Sequence, residues 1–417
     1  MQGLIENHFE EDPTLLGLQN YDPGVGEIFI GSLLLLVVPV LELLAKIVHG
    51  QSDLTPASDA VTRTPDEFFA NVRQPYAPNF YHHRHKGKTL RIHYLDESEG
   101  KYRRGNSSSF SNDDGDEEEV ILCLHGEPFW SQSFHKVIPL LLRSGYRVLA
   151  PDLVGFGRSD KLIDHRSYSV GLHKDTILGL LEHLGLLGER KGPKITILGH
   201  NWGALLGGGL IKDGPPELFR RFVILNTNNF PDGELTLGRF PSFGTYFKYK
   251  IATAFFLGFR ALIDLTRTHA PLDLIFRSLN PGFSRQDLLE FSAPFARRID
   301  RGGAVSFPLL VPLRPDDANA REFREIRSFF RDRAPKTLIA FSEAATLPFS
   351  GGDYVIGNRL EFVRAAIPSA LTVRPRIRGG HLVMHDNPRA VAEMVHSFIQ
   401  SDRRGSEIDF KLQRGLD

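Results

Sequence analysis

The sequence predicts an α/β fold in which helices flank an open, mostly parallel central sheet. Two short apolar runs, residues 120–124 and 147–150, each lead into a glycine-rich loop. A third predicted strand, residues 194–198, turns into a helical stretch, and another helical stretch at 137–143 separates the two apolar runs. Continuous apolar strands that alternate with helices indicate parallel strands buried on both faces. Ligands of such sheets bind at the carboxyl ends of the strands, where these loops lie.

The first element along the chain is an amino-terminal extension, residues 1–55, with an apolar stretch at 28–48. This stretch is interrupted only by Pro39, Glu42 and Lys46, and it is long enough to cross a hydrocarbon core of about 30 Å. No Lys or Arg precedes it, so a cleaved signal peptide is not expected. We predict a single-pass membrane association that leaves the rest of the chain on the cytoplasmic side. The alternative is a cytoplasmic protein in which the stretch is an amphipathic helix, packed on the chain or lying on a membrane surface.

The turn after the predicted strand at 194–198 has the sequence of a nucleophile elbow. Residues 198–204 read Leu-Gly-His-Asn-Trp-Gly-Ala. In such an elbow a buried strand turns sharply into a helix, and the apex residue projects into the site. Asn201 occupies the apex here, and a neutral carboxamide is a poor nucleophile because its nitrogen lone pair is delocalised.

Several separated motifs resemble, in order, those of the haloalkane dehalogenases of the α/β-hydrolase superfamily, over roughly residues 62–400. They are residues 64–71 with 75–78, the turn at 125–128, the loop at 155–160 and the turn at 380–382, which read TPDEFFAN with PYAP, HGEP, GFGRSD and GHL. The resemblance implies an α/β-hydrolase fold with a helical cap domain inserted between sheet strands.

The resemblance also implies roles for individual residues. In the family, an elbow aspartate displaces halide from carbon, and a histidine then activates the water that hydrolyses the alkyl ester. By resemblance, His381 is the base, the backbone amides of Glu127 and Trp202 form the oxyanion hole, and the Trp202 indole is one halide donor. Phe129 and Trp130 are expected to line the substrate pocket, with simple packing as the alternative for Trp130. Neither a cofactor nor a metal is implied.

The sequence departs from the family at two of the three catalytic positions. Asn201 stands at the nucleophile position, and Ala345 stands where the acid is expected. The other acid position used in the family is Asn226 here. Glu343 is a possible substitute acid if its loop is rebuilt, and Asp353 is a second candidate. The second halide-binding indole, which the family's subgroup supplies from the cap domain, is also missing. The only tryptophans of the chain are Trp130 and Trp202.

Domain boundaries follow from the resemblance and from composition. Residues 56–227 are predicted to form the first part of the hydrolase core, with an acidic, polar insert at about 97–119 that should be a disordered surface loop. Residues 228–335 match the cap, residues 336–401 complete the core, and residues 402–417 form a polar tail.

Two further histidines have other interpretations. His200 is interpreted as a structural residue of the elbow. His385 lies four residues after His381, and two histidines at that spacing share a helix face. No third ligand is spaced to complete a metal site, so we predict none.

Composition limits the partners. Lys plus Arg and Asp plus Glu each number 50, so no net charge attracts a polyanion, and nucleic acid is not expected. The basic clusters at 297–298 and 321–333 are interpreted as solvated faces of cap helices. A single cysteine, Cys123, excludes an internal disulfide. The oligomeric state is left open.

Two function classes follow. The favoured one is a pseudoenzyme that holds a small apolar molecule without turning it over, since two catalytic positions are lost independently. The alternative is an active hydrolase of the haloalkane dehalogenase or epoxide hydrolase type, with a relocated acid or an altered nucleophile. An epoxide hydrolase would need a pair of cap tyrosines, for which Tyr246 and Tyr249 are candidates.

Overall fold

An eight-stranded mixed sheet organises the chain. The structure, a computed structural model, describes residues 60–98, 119–187, 194–227, 275–277, 279–312, 316–317, 319–343, 359–374 and 376–405. The strands of these residues are β1 (Val61–Thr62), β2 (Asn79–His85), β3 (Lys88–Glu97), β4 (Glu119–Leu124), β5 (Arg147–Pro151), β6 (Lys161–Leu162), β7 (Lys194–His200), β8 (Phe219–Leu225), β9 (Lys336–Ala340) and β10 (Leu371–Thr372).

The order of the strands opens a crevice beside β4. The large sheet runs β10-β9-β8-β7-β4-β5-β3-β2, and β1 pairs with β6 in a separate ribbon. β4 has the next strand in sequence, β5, on one side and β7 on the other, and both pair with it in parallel. Only β2 and β3 run antiparallel to their neighbours in this sheet. The loops that leave β4, β5 and β7 therefore meet at this reversal, where open α/β sheets bind ligands.

The predicted fold class is confirmed, and the segments from which it was predicted lie within β4, β5 and β7. All five side chains from Val120 to Leu124 are fully buried. A strand covered on both faces needs an unbroken apolar sequence, because neither set of alternating side chains reaches water.

Helices cover both faces of the sheet and fill part of the stretch between β8 and β9. In the described residues they are α1 (Ile138–Arg143), α2 (Val170–His183), α3 (Trp202–Asp213), α4 (Arg285–Ser292), α5 (Gly302–Leu310), α6 (Ala320–Arg333), α7 (Arg359–Ala366), α8 (Val383–Asp386) and α9 (Pro388–Arg404). α4 to α6 belong to the cap, whose outer boundaries remain a prediction. On α6, Phe323, Ile326 and Phe330 are buried while Arg321 is exposed, so the helix turns its apolar stripe inward.

Several sequence predictions fall outside the described residues. They concern the apolar stretch 28–48, most of the acidic insert, Tyr246, Tyr249, Ala345 and Asp353. Within the residues that the structure does describe, no helix has the length and apolar character needed to span a membrane.

Candidate active site

Asn201 lies at a sharp turn between β7 and α3. Its backbone has φ 52° and ψ −120°, a left-handed conformation that is costly for a residue with a Cβ. The turn is tied to the end of β8, because Asn201 N donates to Leu225 O over 3.1 Å and the Thr227 hydroxyl donates to Asn201 O over 2.7 Å. These bonds hold the strained residue in place and direct its side chain towards the crevice.

Glycines allow the turn to pack directly against the end of β4. A Cβ on Gly203 would lie 2.0 Å from Leu124 O, and one on Gly126 would lie 2.4 Å from the Cβ of Asn201. Both distances are shorter than nonbonded atoms can approach. The Asn201 side chain therefore rests on the turn that follows β4, beside the amide of Glu127.

The carboxamide oxygen of Asn201 is held by the two amides that the resemblance assigned to the oxyanion hole. Its Oδ1 accepts a hydrogen bond from Trp202 N at 2.8 Å and a longer one from Glu127 N at 3.4 Å. Two N–H donors on one side fix the orientation of the amide, because its NH2 group cannot accept from them. The Nδ2 group therefore points away from Glu127 N and Trp202 N.

His381 is buried in a loop held by two neighbouring side chains. Its carbonyl oxygen accepts from His200 Nε2 at 2.9 Å and from Asn226 Nδ2 at 2.8 Å. Burial lowers the pKa of His200 to about 3, so its ring is neutral and carries its proton on Nε2, facing the carbonyl. His200 thus acts through the backbone of the His381 loop, in agreement with its structural interpretation.

Asn226 is committed to the backbone of two loops. Its Oδ1 accepts from Ser342 N at 2.9 Å, while Nδ2 donates to Ser342 Oγ at 3.1 Å as well as to His381 O. A carboxylate here would lose the donor that His381 O requires. The position thus joins the ends of β8 and β9 to the His381 loop.

The substitute acid is not brought to His381. Glu343 follows β9 and its side chain is exposed to solvent, while its backbone N donates to Ile377 O at 2.8 Å. The Glu343 carboxylate has no hydrogen bond or ion pair with any residue in the described ranges. An exposed carboxylate is solvated and cannot orient a buried imidazole.

Aromatic rings surround the elbow. Trp202 is nearly buried and meets Phe307 edge-on, with ring centroids 4.7 Å apart. Phe129 is fully buried, 6.4 Å from the His381 ring and 5.3 Å from Phe291 of α4. Phe129 therefore lies where the core, the cap and the histidine loop meet.

Trp130 follows Phe129 and packs against a different ring. It is fully buried, and it meets Phe69 edge-on at 5.7 Å. Its indole N–H is buried and has no hydrogen-bond partner in the part of the chain that the structure describes. The ring contact is what packing requires, while the role of Trp130 in lining the pocket stays a prediction.

The Glu127 carboxyl and the His385 ring complete the described surroundings. Burial raises the pKa of the Glu127 carboxyl well above its usual range. His385 lies between two carboxylates, with Nε2 3.3 Å from Asp287 Oδ1 and Nδ1 3.3 Å from Asp386 Oδ1. Within the described residues, no three side chains are grouped as metal ligands would be.

Two residues that hold the histidine loop, Asn280 and Asp386, were not predicted from the sequence. Asn280 donates to both carboxylate oxygens of Asp386 and accepts from Leu382 N. The local signal was limited to Pro281 and Gly282, which mark a turn after Asn280. A turn signal does not reveal contacts with residues about 100 positions away in the chain.

Comparison with known proteins gives consistent results. A family model described as alpha/beta hydrolase fold matches residues 119–306. A haloalkane dehalogenase of Mycobacterium marinum is 30% identical over 342 residues, which span 81% of this chain and 99% of that protein. Another, of Psychrobacter cryohalolentis, is 27% identical over 355 residues, 82% of this chain and 99% of that protein. The structure of the tetrameric haloalkane dehalogenase DpaA from Paraglaciecola agarilytica NO2 is similar with a TM-score of 0.60 and 26% identity, covering 80% of this chain and 97% of that one.

Proposed function

Because the chain belongs to the haloalkane dehalogenase family of α/β hydrolases, we propose that it keeps that family's site as a binding pocket and has lost that family's reaction. The ligand is a small apolar molecule. The observation that carries this proposal is the orientation of Asn201, whose oxygen is engaged by Glu127 N and Trp202 N.

The orientation matters because only one atom of the side chain faces the reacting carbon. In a carboxylate at this position, one oxygen would occupy the two amides and the other would be free to attack. In Asn201 the second position is an NH2 group, whose lone pair is delocalised into the carbonyl. No alkyl ester can form at a useful rate, since loss of the nucleophile from a comparable triad costs roughly 10⁶-fold.

The remaining surroundings support binding. The Phe129, Trp202 and Phe307 rings supply apolar surface around the elbow, and the buried His200 ring is neutral. A site lined by aromatic rings with few polar groups suits a small apolar ligand. The Nδ2 group of Asn201 adds a hydrogen-bond donor, which favours a ligand carrying a halogen or carbonyl oxygen. The alternative of an active hydrolase with Glu343 as acid is disfavoured by the exposure of that side chain.

We expect the unmodified protein to bind a bromoalkane without releasing bromide. Trp130 and Trp202 are the only tryptophans, so a Trp130→Phe variant makes fluorescence report on Trp202 alone. Saturable quenching by the bromoalkane should appear in that variant, and halide release should stay at the level of a protein-free blank. Trp202→Phe is the matched control and should show no saturable signal. Turnover near one per second, with a covalent intermediate trapped on the protein, would contradict the proposal.

We also propose that residues 28–48 attach the protein to a membrane. Burying an apolar stretch of this length gains several kcal/mol even with Glu42 and Lys46 near one end, where long side chains reach the interface. Full-length protein should sediment with membranes and require detergent for extraction, whereas removal of residues 1–55 should release it. A Leu35→Arg/Val38→Arg variant keeps the length and should also be released. Recovery of the full-length chain in the detergent-free soluble fraction would rule out this anchor.

A further inference from the structure

Three consecutive backbone amides at His381 are each hydrogen bonded. His381 N donates to Leu279 O at 3.2 Å, and Leu382 N donates to the side chain of Asn280 at 2.8 Å. Gly380 N donates to Asp386 Oδ2 at 2.6 Å. Two of the three acceptors thus come from residues 279–280, which lie in the cap more than 100 positions earlier in the chain.

The Asn280 side chain links the hydrogen bonds made by the two residues next to His381. Its side chain is almost fully buried, with Oδ1 facing Leu382 N and Nδ2 2.9 and 2.8 Å from the two oxygens of Asp386. Asp386 in turn accepts from Gly380 N. Asn280 and Asp386 therefore form a bridge from the residue before His381 to the residue after it. The bonds to Asp386 are charge-assisted, and such bonds are about twice as strong as neutral ones.

Asn280 is also fixed to the part of the cap that faces the site. Asn280 N donates to Phe276 O at 2.9 Å, and Phe283 N donates to Asn280 O at 3.1 Å. The Phe276 and Phe283 rings lie 5.5 and 6.4 Å from Phe129, which borders the His381 ring. A displacement of this segment, by ligand entry for example, would move the acceptors of His381 N and Leu382 N together.

We propose that Asn280 is a positioning residue that makes the orientation of His381 depend on the position of the cap. It binds the backbone directly at Leu382 and, through Asp386, at Gly380. Its effect is therefore on the placement of the imidazole relative to the elbow. The inference rests on the proposed function in one respect, namely that His381 is the retained base of this site.

Hydrogen exchange on the full-length protein tests the placement directly. In Asn280→Ala, Leu382 N loses its acceptor and Asp386 loses its two charge-assisted bonds, so exchange of the amides at 380–382 should become about tenfold faster. Exchange in β4 should be unchanged. Asn319→Ala is the matched control, because Asn319 is another cap asparagine whose side chain donates to Leu310 O at 2.8 Å, away from this loop. Asn280→Asp/Asp386→Asn reverses donor and acceptor and should restore protection.

A second readout separates positioning from general damage. In an Asn201→Asp/Ala345→Asp background, formation of the alkyl ester needs the elbow carboxylate, whereas its hydrolysis needs His381. Adding Asn280→Ala should slow hydrolysis about tenfold and leave ester formation within about twofold. An equal loss in both steps, or unchanged exchange at 380–382, would overturn the proposal. If no ester forms in that background at all, the retained-site proposal fails, and the exchange experiment decides the role of Asn280 alone.

Discussion

Replacing Asn201 with aspartate should give a protein that forms a covalent alkyl ester. In Asn201→Asp, one carboxylate oxygen can keep the bonds from Trp202 N and Glu127 N that Oδ1 now accepts. The other oxygen then replaces the NH2 group and presents a lone pair to the carbon. We expect ester formation to rise by roughly 10⁴-fold or more, since a missing nucleophile in a comparable triad costs about 10⁶.

The ester should accumulate in the single variant. Hydrolysis needs an oriented His381, and losing the acid that orients such a histidine costs about 10⁴ in rate. Intact-protein mass spectrometry after exposure to a bromoalkane should therefore show the mass of one alkyl chain on Asn201→Asp. Adding Ala345→Asp should convert that stable adduct into slow turnover, measured as bromide release.

The other acid position of the family supplies the control. Asn226→Asp in place of Ala345→Asp should not restore hydrolysis. Its carboxylate would face His381 O, which now accepts a hydrogen bond from Asn226 Nδ2 at 2.8 Å, and the loop would be displaced by repulsion. Complete absence of an adduct on Asn201→Asp after prolonged exposure would show that the pocket no longer admits the substrate, or that the elbow is misplaced.

The strands that the sequence predicted were those with an unambiguous pattern. Residues 120–124 of β4 and 148–150 of β5 are apolar without interruption, and a short apolar run that leads into a glycine-rich loop predicts a buried strand. The hairpin of β2 and β3 was missed, although it contributes two strands to the sheet. β2 is an edge strand in which His83 and His85 alternate with His82 and Arg84, so both faces carry polar side chains and the alternation is weak. The remaining signal was the turn at Lys86 and Gly87, both with positive φ.

The candidate site also has features that could be predicted from the sequence and features that could not. The positions of Asn201, His381 and the two amide donors follow from short motifs, because the elbow and the turn after β4 have fixed local geometry. The orientation of the Asn201 amide could not be predicted, since it depends on a distance between residues 74 positions apart. The bridge from Asn280 to Asp386 spans 106 positions and involves no local pattern. Contacts of this kind are visible only after folding.

A buried group of charges at the opposite end of the sheet should have the largest effect on stability. Arg221 of β8 is fully buried, with Nε 2.7 Å from Asp402 Oδ2 on α9 and Nη1 2.9 Å from Glu119 Oε2 at the start of β4. Asp402 also pairs with Arg220 at 2.8 Å and Lys336 at 2.9 Å, both of them partly exposed. Arg221 is thus the buried centre that joins two strands to the last helix.

Arg221→Met should lower the free energy of unfolding by about 3 kcal/mol, the lower end of the cost of removing one partner from a buried ion pair. The lower end applies because Asp402 keeps Arg220 and Lys336. The measurement is the shift in the chemical denaturation midpoint at neutral pH. Arg321→Met is the matched control, since its pair with Glu325 lies on the surface of α6 and should contribute almost nothing. Equal midpoints for the two variants would contradict the assignment.

The pH dependence of this difference tests whether weaker charge pairing at Asp402 accounts for the lost stability. Burial alone would raise the pKa of Asp402, but hydrogen bonds from Arg220 and Lys336 and the charge of Arg221 outweigh it and lower the pKa to about 2. The folded pKa lies below the ordinary value of about 3.9, so this carboxylate stabilises the fold above roughly pH 4 and loses that contribution as the pH falls towards 2. In Arg221→Met the pKa of Asp402 should rise, because burial remains and one cation is gone. The variant then takes up its proton at higher pH and has less to lose on acidification. The gap between the two proteins should therefore be widest at neutral pH and narrow below pH 4, and a gap that stays constant would place the cost of Arg221→Met in lost packing instead of charge.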